Sequence, residues 1–198
     1  DYTPNIYAII FCRTRRDTQE IADNLCQDGY NAEALHGDLS QQQRDIVMKK
    51  FRDRVVKILV ATDVAARGLD VDDLTHVINY GLPEDTAVYT HRSGRTGRAG
   101  KTGVSVAIIH SREKGRLREI ERIIGKKFER KDVPTPEQII EKQLYSLADR
   151  IEKVQVNDAE MDRYLPGVIK KLGWLSADDL IRRVLSLEFQ RLLDYYKD

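Results

Sequence analysis

Apolar runs of strand length alternate with segments of helical periodicity over the first two thirds of the chain. Ile6–Phe11 is a continuous apolar run of strand length, and Lys57–Ala61 is predicted to be a buried strand. Strands separated by helices predict an α/β fold, a parallel sheet with helices on both faces. The predicted elements in chain order are strand Ile6–Phe11, helix Thr18–Asp28, strand Asn31–Leu35, helix Ser40–Phe51, strand Lys57–Ala61, strand His76–Asn79, helix Val88–Gly94, strand Gly103–His110 and helix Ser111–Lys126.

The pattern changes at Val133–Pro136, where two prolines fall within three residues. Thr135 and Gln138 fit a capping box, with Pro136 at the first helical position. Beyond this point no strand pattern recurs, and apolar residues are spaced 4-3-4-3, as along a helical seam. The seam residues are Ile140, Leu144, Leu147, Ile151 and Val154. We therefore predict one domain over residues 1–134 and a small all-helical module over residues 135–198.

Composition narrows the choice of partners only slightly. The 198 residues carry 33 Lys+Arg and 32 Asp+Glu, for a net charge of +1. Residues 1–134 hold 23 basic and 20 acidic side chains, so any basic face is local. Cys12 and Cys26 have neither disulfide nor metal-ligand spacing, which favours reduced thiols and a cytoplasmic location. No apolar stretch approaches the ~20 residues of a membrane span, so no membrane partner is expected. The chain enters a strand almost at once, as expected of a piece of a longer polypeptide.

The densest chemical signal is the arginine-rich segment Tyr89–Gly100. Arg92, Arg95 and Arg98 recur every three residues, and on a helix this spacing places them on nearly one face. Guanidinium groups stay charged and offer a planar fork to phosphate oxygens, so the cluster suits a polyphosphate. The alternative is a solvated basic helix. The interleaved His91 and three glycines argue against that alternative, because a plain charged face needs neither.

Two further segments follow predicted strands. Thr62 and Asp63 end a buried strand and can present polar groups to a phosphate. The alternative is that Asp63 and Asp70 only cap a helix and a turn. In the second segment Gly37 precedes a helix capped by Ser40, and Gln41 and Arg44 share one helical face. Such a surface follows a nucleic-acid backbone rather than its bases.

Five segments occur in one order across residues 1–134: IIFCRTR (Ile9–Arg15), HGD with QxxR (His36–Arg44), ATDVAARGLD (Ala61–Asp70), NYGLP (Asn79–Pro83) and YTHRSGRTGRAG (Tyr89–Gly100). Together they resemble the C-terminal RecA-like domain of DEAD-box ATP-dependent RNA helicases. The tail is similar to the helical extension of the bacterial cold-shock and ribosome-assembly members of that family. The resemblance therefore implies an enzyme, an ATP hydrolase that remodels RNA.

The resemblance also implies roles for single residues. Arg95 and Arg98 look like arginine fingers for the γ-phosphate of ATP. Gly68 and Asp70 are expected at the ATP ribose. Three residues are expected to couple this lobe to its own N-terminal lobe: Arg67, His91 and Arg92. The residues expected to hold the RNA backbone, independently of sequence, are Arg13, Thr14, Gly37, Gln41, Arg44, Thr62 and Asp63.

The chain has neither a GxxxxGK[ST] phosphate loop nor an Asp-Glu-Ala-Asp stretch for Mg²⁺. In the family both lie on the N-terminal lobe, so ATP with Mg²⁺ would be held there. We expect this chain alone to be inactive, and hydrolysis to need two lobes that close around ATP and RNA. Two rival functions are a DNA helicase or translocase, and a non-catalytic scaffold.

The tail has no arginine-rich or aromatic pattern for reading RNA. Its apolar content exceeds what three short helices bury, particularly at Leu185, Phe189, Leu192, Leu193 and Tyr196. Exposed apolar surface marks an interface, so residues 135–198 are predicted to form a homodimer. The alternative is that these helices pack back onto the first domain.

Overall fold

The structure, a computed structural model, describes residues 6–69, 71, 73–97, 102–157 and 161–195. Two compact units make up the chain, one over Asn5–Glu129 and one that contains Arg130–Asp198. Within the described residues, the first unit holds the sheet and the second holds helices only. The predicted domain boundary after residue 134 stays a prediction.

Parallel strands form a five-stranded sheet in the described part of the first unit, in the order β2-β3-β1-β4-β5. Ala8 of the central strand lies opposite Ile58 on one side and His76 on the other. The prediction of a parallel sheet is therefore confirmed. The strands are β1 (Ala8–Cys12), β2 (Ala32–Leu35), β3 (Ile58–Thr62), β4 (His76–Tyr80) and β5 (Val104–Ile108).

Helices cover both faces of this sheet, which is why β1 and β3 are buried along their whole length. One apolar cluster forms around Phe51, and a second forms around Ala22 on the opposite face. A third joins Leu82, Tyr89 and Ile120. The helices are α1 (Arg15–Gln27), α2 (Gln41–Arg52), α3 (Thr86–Ser93) and α4 (Lys114–Ile124), the last preceded by a 3₁₀ turn at Ser111–Glu113.

Strand β5 differs from the buried strand that its apolar run predicts. Val104, Val106 and Ile108 are all exposed, whereas Ala107 packs against the cluster around Tyr89. The reason is that β5 is the edge strand, and no helix among the described residues covers its second face. An apolar run of strand length cannot by itself distinguish a central strand from an edge strand.

Helix starts follow the predicted caps closely. Ser40 caps α2 in a capping box with Gln43, and Thr135 forms the same arrangement with Gln138. Helix α1 begins three residues before the predicted start, because the Thr14 side chain accepts a hydrogen bond from the Asp17 N–H.

The second unit contains helices α5 (Pro136–Lys153), α6 (Leu165–Leu172) and α7 (Ala177–Tyr195). Helices α5 and α7 pack together, and Ile140 of α5 and Leu192 of α7 are both buried. The burial of Leu192 corrects its assignment to an exposed interface. Tyr196 lies outside the described residues. In the described part of the chain, no helix combines the length and apolar character that would let it cross a bilayer.

Candidate functional site

The candidate RNA residues lie at one edge of the sheet, where the strands end. Gly37 follows β2, Thr62 and Asp63 end β3, and Arg13 and Thr14 follow β1. These three strands are neighbours in the order β2-β3-β1. Because neighbouring strands lie about 4.8 Å apart, the three loops lie within roughly 10 Å of one another. The structure therefore brings together residues that lie up to 50 positions apart in the sequence.

Two helix starts point their N–H groups toward the same edge. Thr14 caps α1 just after β1, and Ser40 caps α2 at the end of the short loop that follows β2. The unpaired N–H groups of a first helical turn favour an anion such as phosphate. Gln41 is exposed in the first turn of α2, and the half-buried Arg44 donates from Nη2 to the Ala65 carbonyl at 3.2 Å. The Arg44 side chain therefore lies beside the loop that follows β3, whereas the Gln41 amide donates to Asp45 on the same helix at 2.9 Å.

Arg13 is held in a defined orientation. Its Nε and Nη2 donate to the carbonyl of Leu82 at 3.1 and 2.8 Å, and Nη2 also donates to Glu113. Its side chain lies over Gly81, where a Cβ would meet the guanidinium. Within the residues described, Nη1 makes no hydrogen bond, and the side chain is 45% exposed. One edge of the guanidinium thus remains available to a phosphate.

Glu113 ties together the loops that follow β1, β4 and β5. Its Oε1 accepts from Arg13 and from the Leu82 N–H at 3.1 Å, and its Oε2 accepts from the His110 N–H at 2.9 Å. Burial raises the pKa of this carboxyl, but the N–H groups of His110 and Leu82 and the charge of Arg13 outweigh it. The net pKa lies below its usual value, so Glu113 stays charged at neutral pH. Sequence reasoning missed this residue; its only signal is its place after a strand end.

Arg92 is buried, contrary to its predicted position on an exposed arginine face. Its Nε and Nη2 donate to the two carboxylate oxygens of Asp63, each at 2.6 Å, and Nη1 donates to Asn79 at 2.9 Å. The guanidinium also stacks 5.0 Å from the Phe11 ring. Only 3% of the side chain is exposed. Arg92 thus offers no free surface to a second lobe in this structure, and the Asp63 carboxylate is already paired.

Arg95 lies beyond the helix that was expected to carry it. Helix α3 ends at Ser93, so Arg92 and Arg95 do not share a helical face, and that prediction is wrong. Arg95 Nη1 donates to the carbonyl of Leu69, and Thr96 Oγ1 donates to the carbonyl of Leu74. The segment after α3 therefore runs alongside the loop after β3. The predicted nucleotide residues Arg98 and Asp70 lie outside the described residues.

The remaining predicted residues are exposed near this loop pair. Gly68 has φ +75°, a conformation that other residues rarely adopt, so the loop after β3 turns sharply there. Arg67 is exposed beside it, and His91 is exposed in the last turn of α3. Both side chains are therefore accessible to a ligand or a second lobe.

A shallow hollow of about 440 Å³ opens between the loops that follow β1 and β2. In its lining, His36 is buried and bonds through Nε2 to Gln19 Oε1 at 2.9 Å, and Arg15 pairs with Asp38. His36 Nδ1 accepts from the Asp38 N–H at 3.3 Å. These bonds fix the loop that carries Gly37 against the start of α1.

Comparison with known proteins assigns this arrangement to a family. Residues 3–100 match the family model described as helicase conserved C-terminal domain, and residues 139–197 match the model described as probable ATP-dependent RNA helicase, helical domain. The chain is 34% identical in sequence to the E. coli DEAD-box protein SrmB, whose structure was solved with SrmB bound to regulator of ribonuclease activity A. The two structures superpose with a TM-score of 0.62. The match covers 66% of this chain and 78% of that chain. The chain belongs to the DEAD-box helicase family.

The DEAD-box relatives are longer than this chain. The DEAD-box ATP-dependent RNA helicase CshA of Geobacillus kaustophilus is 52% identical over 136 residues, which cover 69% of this chain and 29% of the relative. The chain thus spans less than a third of that relative's length. S. cerevisiae Dbp5, solved bound to RNA and ADP BeF3, is 33% identical with a TM-score of 0.59, and the match covers 71% of this chain and 37% of that one. The RecA-like fold of the DEAD-box C-terminal domain is therefore confirmed, whereas cold shock and ribosome assembly stay predictions.

Proposed function

We propose that Asn5–Glu129 form the C-terminal lobe of an ATP-dependent RNA helicase. In this proposal the lobe supplies arginines to ATP held by an N-terminal lobe and grips RNA through its backbone. The observation that carries it is the pairing of two loops: Arg92 holds Asp63 at the end of β3, and Arg95 holds the Leu69 carbonyl. The loop proposed to meet RNA and the segment proposed to meet ATP therefore form one connected element, so closure around one ligand moves residues at the other.

The proposed RNA contacts use the sheet edge. We assign the RNA contacts to a row of groups along the strand ends, which we call the RNA-backbone track. The row consists of Gly37, Gln41, Arg44, Thr14, Thr62 and the free edge of the Arg13 guanidinium. All of them offer N–H, hydroxyl or cationic groups, which suit phosphate and sugar oxygens and carry no base information. Asp63 contributes differently from the original expectation. Because its carboxylate is paired with Arg92, we assign it to fixing the loop rather than to touching RNA.

The proposed nucleotide contacts use Arg95 and Arg98, with Gly68 and Asp70 at the ribose. Mg²⁺-ATP would supply the γ-phosphoryl group that is hydrolysed. The Mg²⁺ ligands belong to the N-terminal lobe in this proposal, as the resemblance to the DEAD-box family implies. Arg95 is half-buried and held by a carbonyl, which limits its rotamers before ATP arrives. His91 and Arg67 remain the exposed candidates for contacts between lobes.

The test uses the protein with both lobes. Arg95→Ala and Arg98→Ala should each lower RNA-stimulated ATP turnover by roughly 10³-fold or more, because each removes a cation from the charge that develops on the γ-phosphate. RNA affinity should change only a few-fold. Arg52→Ala is the matched control, because Arg52 is exposed at the end of α2, away from the strand ends. Unchanged turnover in both finger variants would refute the proposal, and stimulation by DNA but not RNA would favour a DNA translocase.

We further propose that residues 135–198 mediate homodimerisation. Support comes from the large apolar side chains exposed in the described part of the second unit. These include Tyr164, Val168, Ile169, Trp174, Leu180, Ile181, Val184, Leu187 and Phe189. Apolar surface on this scale is unusual for a monomer.

A further inference from the structure

The positive charge of the first unit is concentrated in one short segment. Residues 112–127 contain seven Lys and Arg against three Glu, a net charge of +4. Residues 1–134 as a whole have a net charge of only +3, with 23 basic and 20 acidic side chains. The rest of that region is therefore slightly negative. A basic segment against an acidic background is the electrostatic pattern of a local anion-binding surface.

This segment places its charges on one face of α4. Ile120 is buried and Leu117 and Ile124 are half-buried against the sheet. Lys114, Arg118 and Arg122 follow one another at four-residue spacing on the opposite, exposed side. At 1.5 Å per residue the three Cα atoms span about 12 Å along the helix. We call these three residues the α4 ridge.

The α4 ridge is not neutralised by its neighbours. Within the described residues none of its three side chains forms an ion pair or a hydrogen bond, whereas Lys50 pairs with Glu33 and Arg191 with Glu188. The acidic residues of the segment are mostly occupied elsewhere. Glu113 accepts from backbone N–H groups and Arg13, and Glu121 accepts from the Phe128 N–H at 2.8 Å. Glu119 alone is an exposed acidic residue of this segment.

The α4 ridge begins beside the RNA-backbone track. Lys114 follows Glu113 directly, and Glu113 bonds Arg13 at the end of β1. Along the sheet edge, Gly37, Thr62 and Arg13 lie at the ends of the neighbouring strands β2, β3 and β1; the loop after β4 comes next, and α4 begins after β5. An RNA strand that crosses the strand ends in this direction passes the loop after β4 and then reaches Lys114.

We propose that the α4 ridge binds phosphates of the RNA that extends past the strand-end site. This inference rests on the proposed function, since it lengthens the track that the strand ends begin. RNA is favoured over an acidic protein segment because the ridge is continuous with groups suited to a sugar–phosphate backbone. Three cations without base-reading neighbours bind independently of sequence, and their contribution depends strongly on salt.

The experiment compares two single-stranded RNAs on the protein with both lobes. One RNA has about 6 nucleotides, enough for the strand-end site, and the other is roughly three times longer. The test variant replaces Lys114, Arg118 and Arg122 with Gln. The control variant replaces Lys49, Arg52 and Lys57 with Gln. These residues are exposed toward the opposite edge of the sheet, and replacing them removes the same net charge. Arg44→Gln tests the strand-end site separately.

The ridge variant should bind the longer RNA on the order of 10- to 100-fold more weakly at about 0.1 M salt, with the slope of log K against log salt reduced by about 2. Its affinity for the short RNA, and both affinities of the control variant, should stay within about twofold of wild type. An unchanged salt slope with the longer RNA, or equal losses of affinity for both RNAs, would overturn the inference. The α4 ridge would then be a solvated face or a site for an acidic partner. Arg44→Gln should weaken the binding of both RNAs. If this variant bound both RNAs as tightly as wild type, the proposed strand-end site would be contradicted instead.

Discussion

Arg92 and Asp63 form a forked ion pair that joins the end of β3 to the last turn of α3. Both carboxylate oxygens are used, Asn79 satisfies a third donor, and the Phe11 ring lies against the guanidinium. Planar pairing of this kind is specific to arginine, because lysine offers only a point charge. Removing the guanidinium would leave the Oδ1 of the buried Asn79 and the carboxylate of the half-exposed Asp63 without these hydrogen bonds.

Arg92→Met should lower the free energy of unfolding by about 2–3 kcal/mol. Losing one partner of a fully buried ion pair costs about 3–5 kcal/mol. The cost is smaller here because the Asp63 side chain is 38% exposed and water can solvate its carboxylate. Arg122→Met is the control, since Arg122 is exposed on α4 and its replacement should stay within about 0.5 kcal/mol. Urea denaturation of both variants measures the difference. Equal midpoints would show that the pair does not hold the two loops together.

At the scale of elements, the segment after α3 depends on a close approach by the strand that follows it. A Cβ on Gly103 would lie well inside van der Waals contact of Thr96 Oγ1 and the backbone nitrogen of Gly97. Thr96 in turn bonds the Leu74 carbonyl, so the start of β5 packs against the loop that carries Arg95. A side chain at position 103 would therefore have to displace backbone atoms as well as the Thr96 side chain.

Gly103→Ala should destabilise the fold by about 1–3 kcal/mol through this overlap. Gly115→Ala provides a matched glycine control, because no atom lies within 4 Å of the Cβ position and the residue is in α4. Alanine there should raise stability by about 0.4–1 kcal/mol, since it restricts the unfolded chain. Thermal denaturation of both variants checks the opposite signs. A neutral Gly103→Ala would mean that the loop tolerates a shift at this position.

Local sequence patterns predict the helices and strands of this protein better than they predict the contacts between distant residues. Capping chemistry is local, so Ser40 and Thr135 could be assigned as helix starts from the sequence. Spacing alone placed Arg92 and Arg95 on one helical face, because it could not show that α3 ends at Ser93. Glu113 contacts Arg13 across 100 positions, and no local pattern carries such a pairing. The strand ends could be predicted; the long-range bonds that orient their side chains could not.

At the scale of the whole molecule, helix α7 carries two apolar stripes with different surroundings. Leu185 is half-buried and Leu192 is buried, and the helix as a whole packs against α5. Leu180, Val184 and Leu187 recur at 4-3 spacing on another side and are exposed. That spacing is the seam of a helix pair, so the second stripe is the better candidate for contact with a second copy. This moves the predicted interface away from Leu192.

The 198-residue chain, with a monomer mass of 22.8 kDa, should therefore scatter light as a dimer at concentrations on the order of tens of micromolar. Residues 1–134 alone should scatter as a monomer. Leu187→Glu should also give a monomer, because it places a charge in the exposed apolar stripe, which an interface would desolvate. Val133→Glu changes an even more exposed apolar residue outside the helices and should leave the dimer intact. If the 198-residue chain were a monomer, dimerisation would be ruled out, and the exposed stripe would then be a contact surface for a different partner.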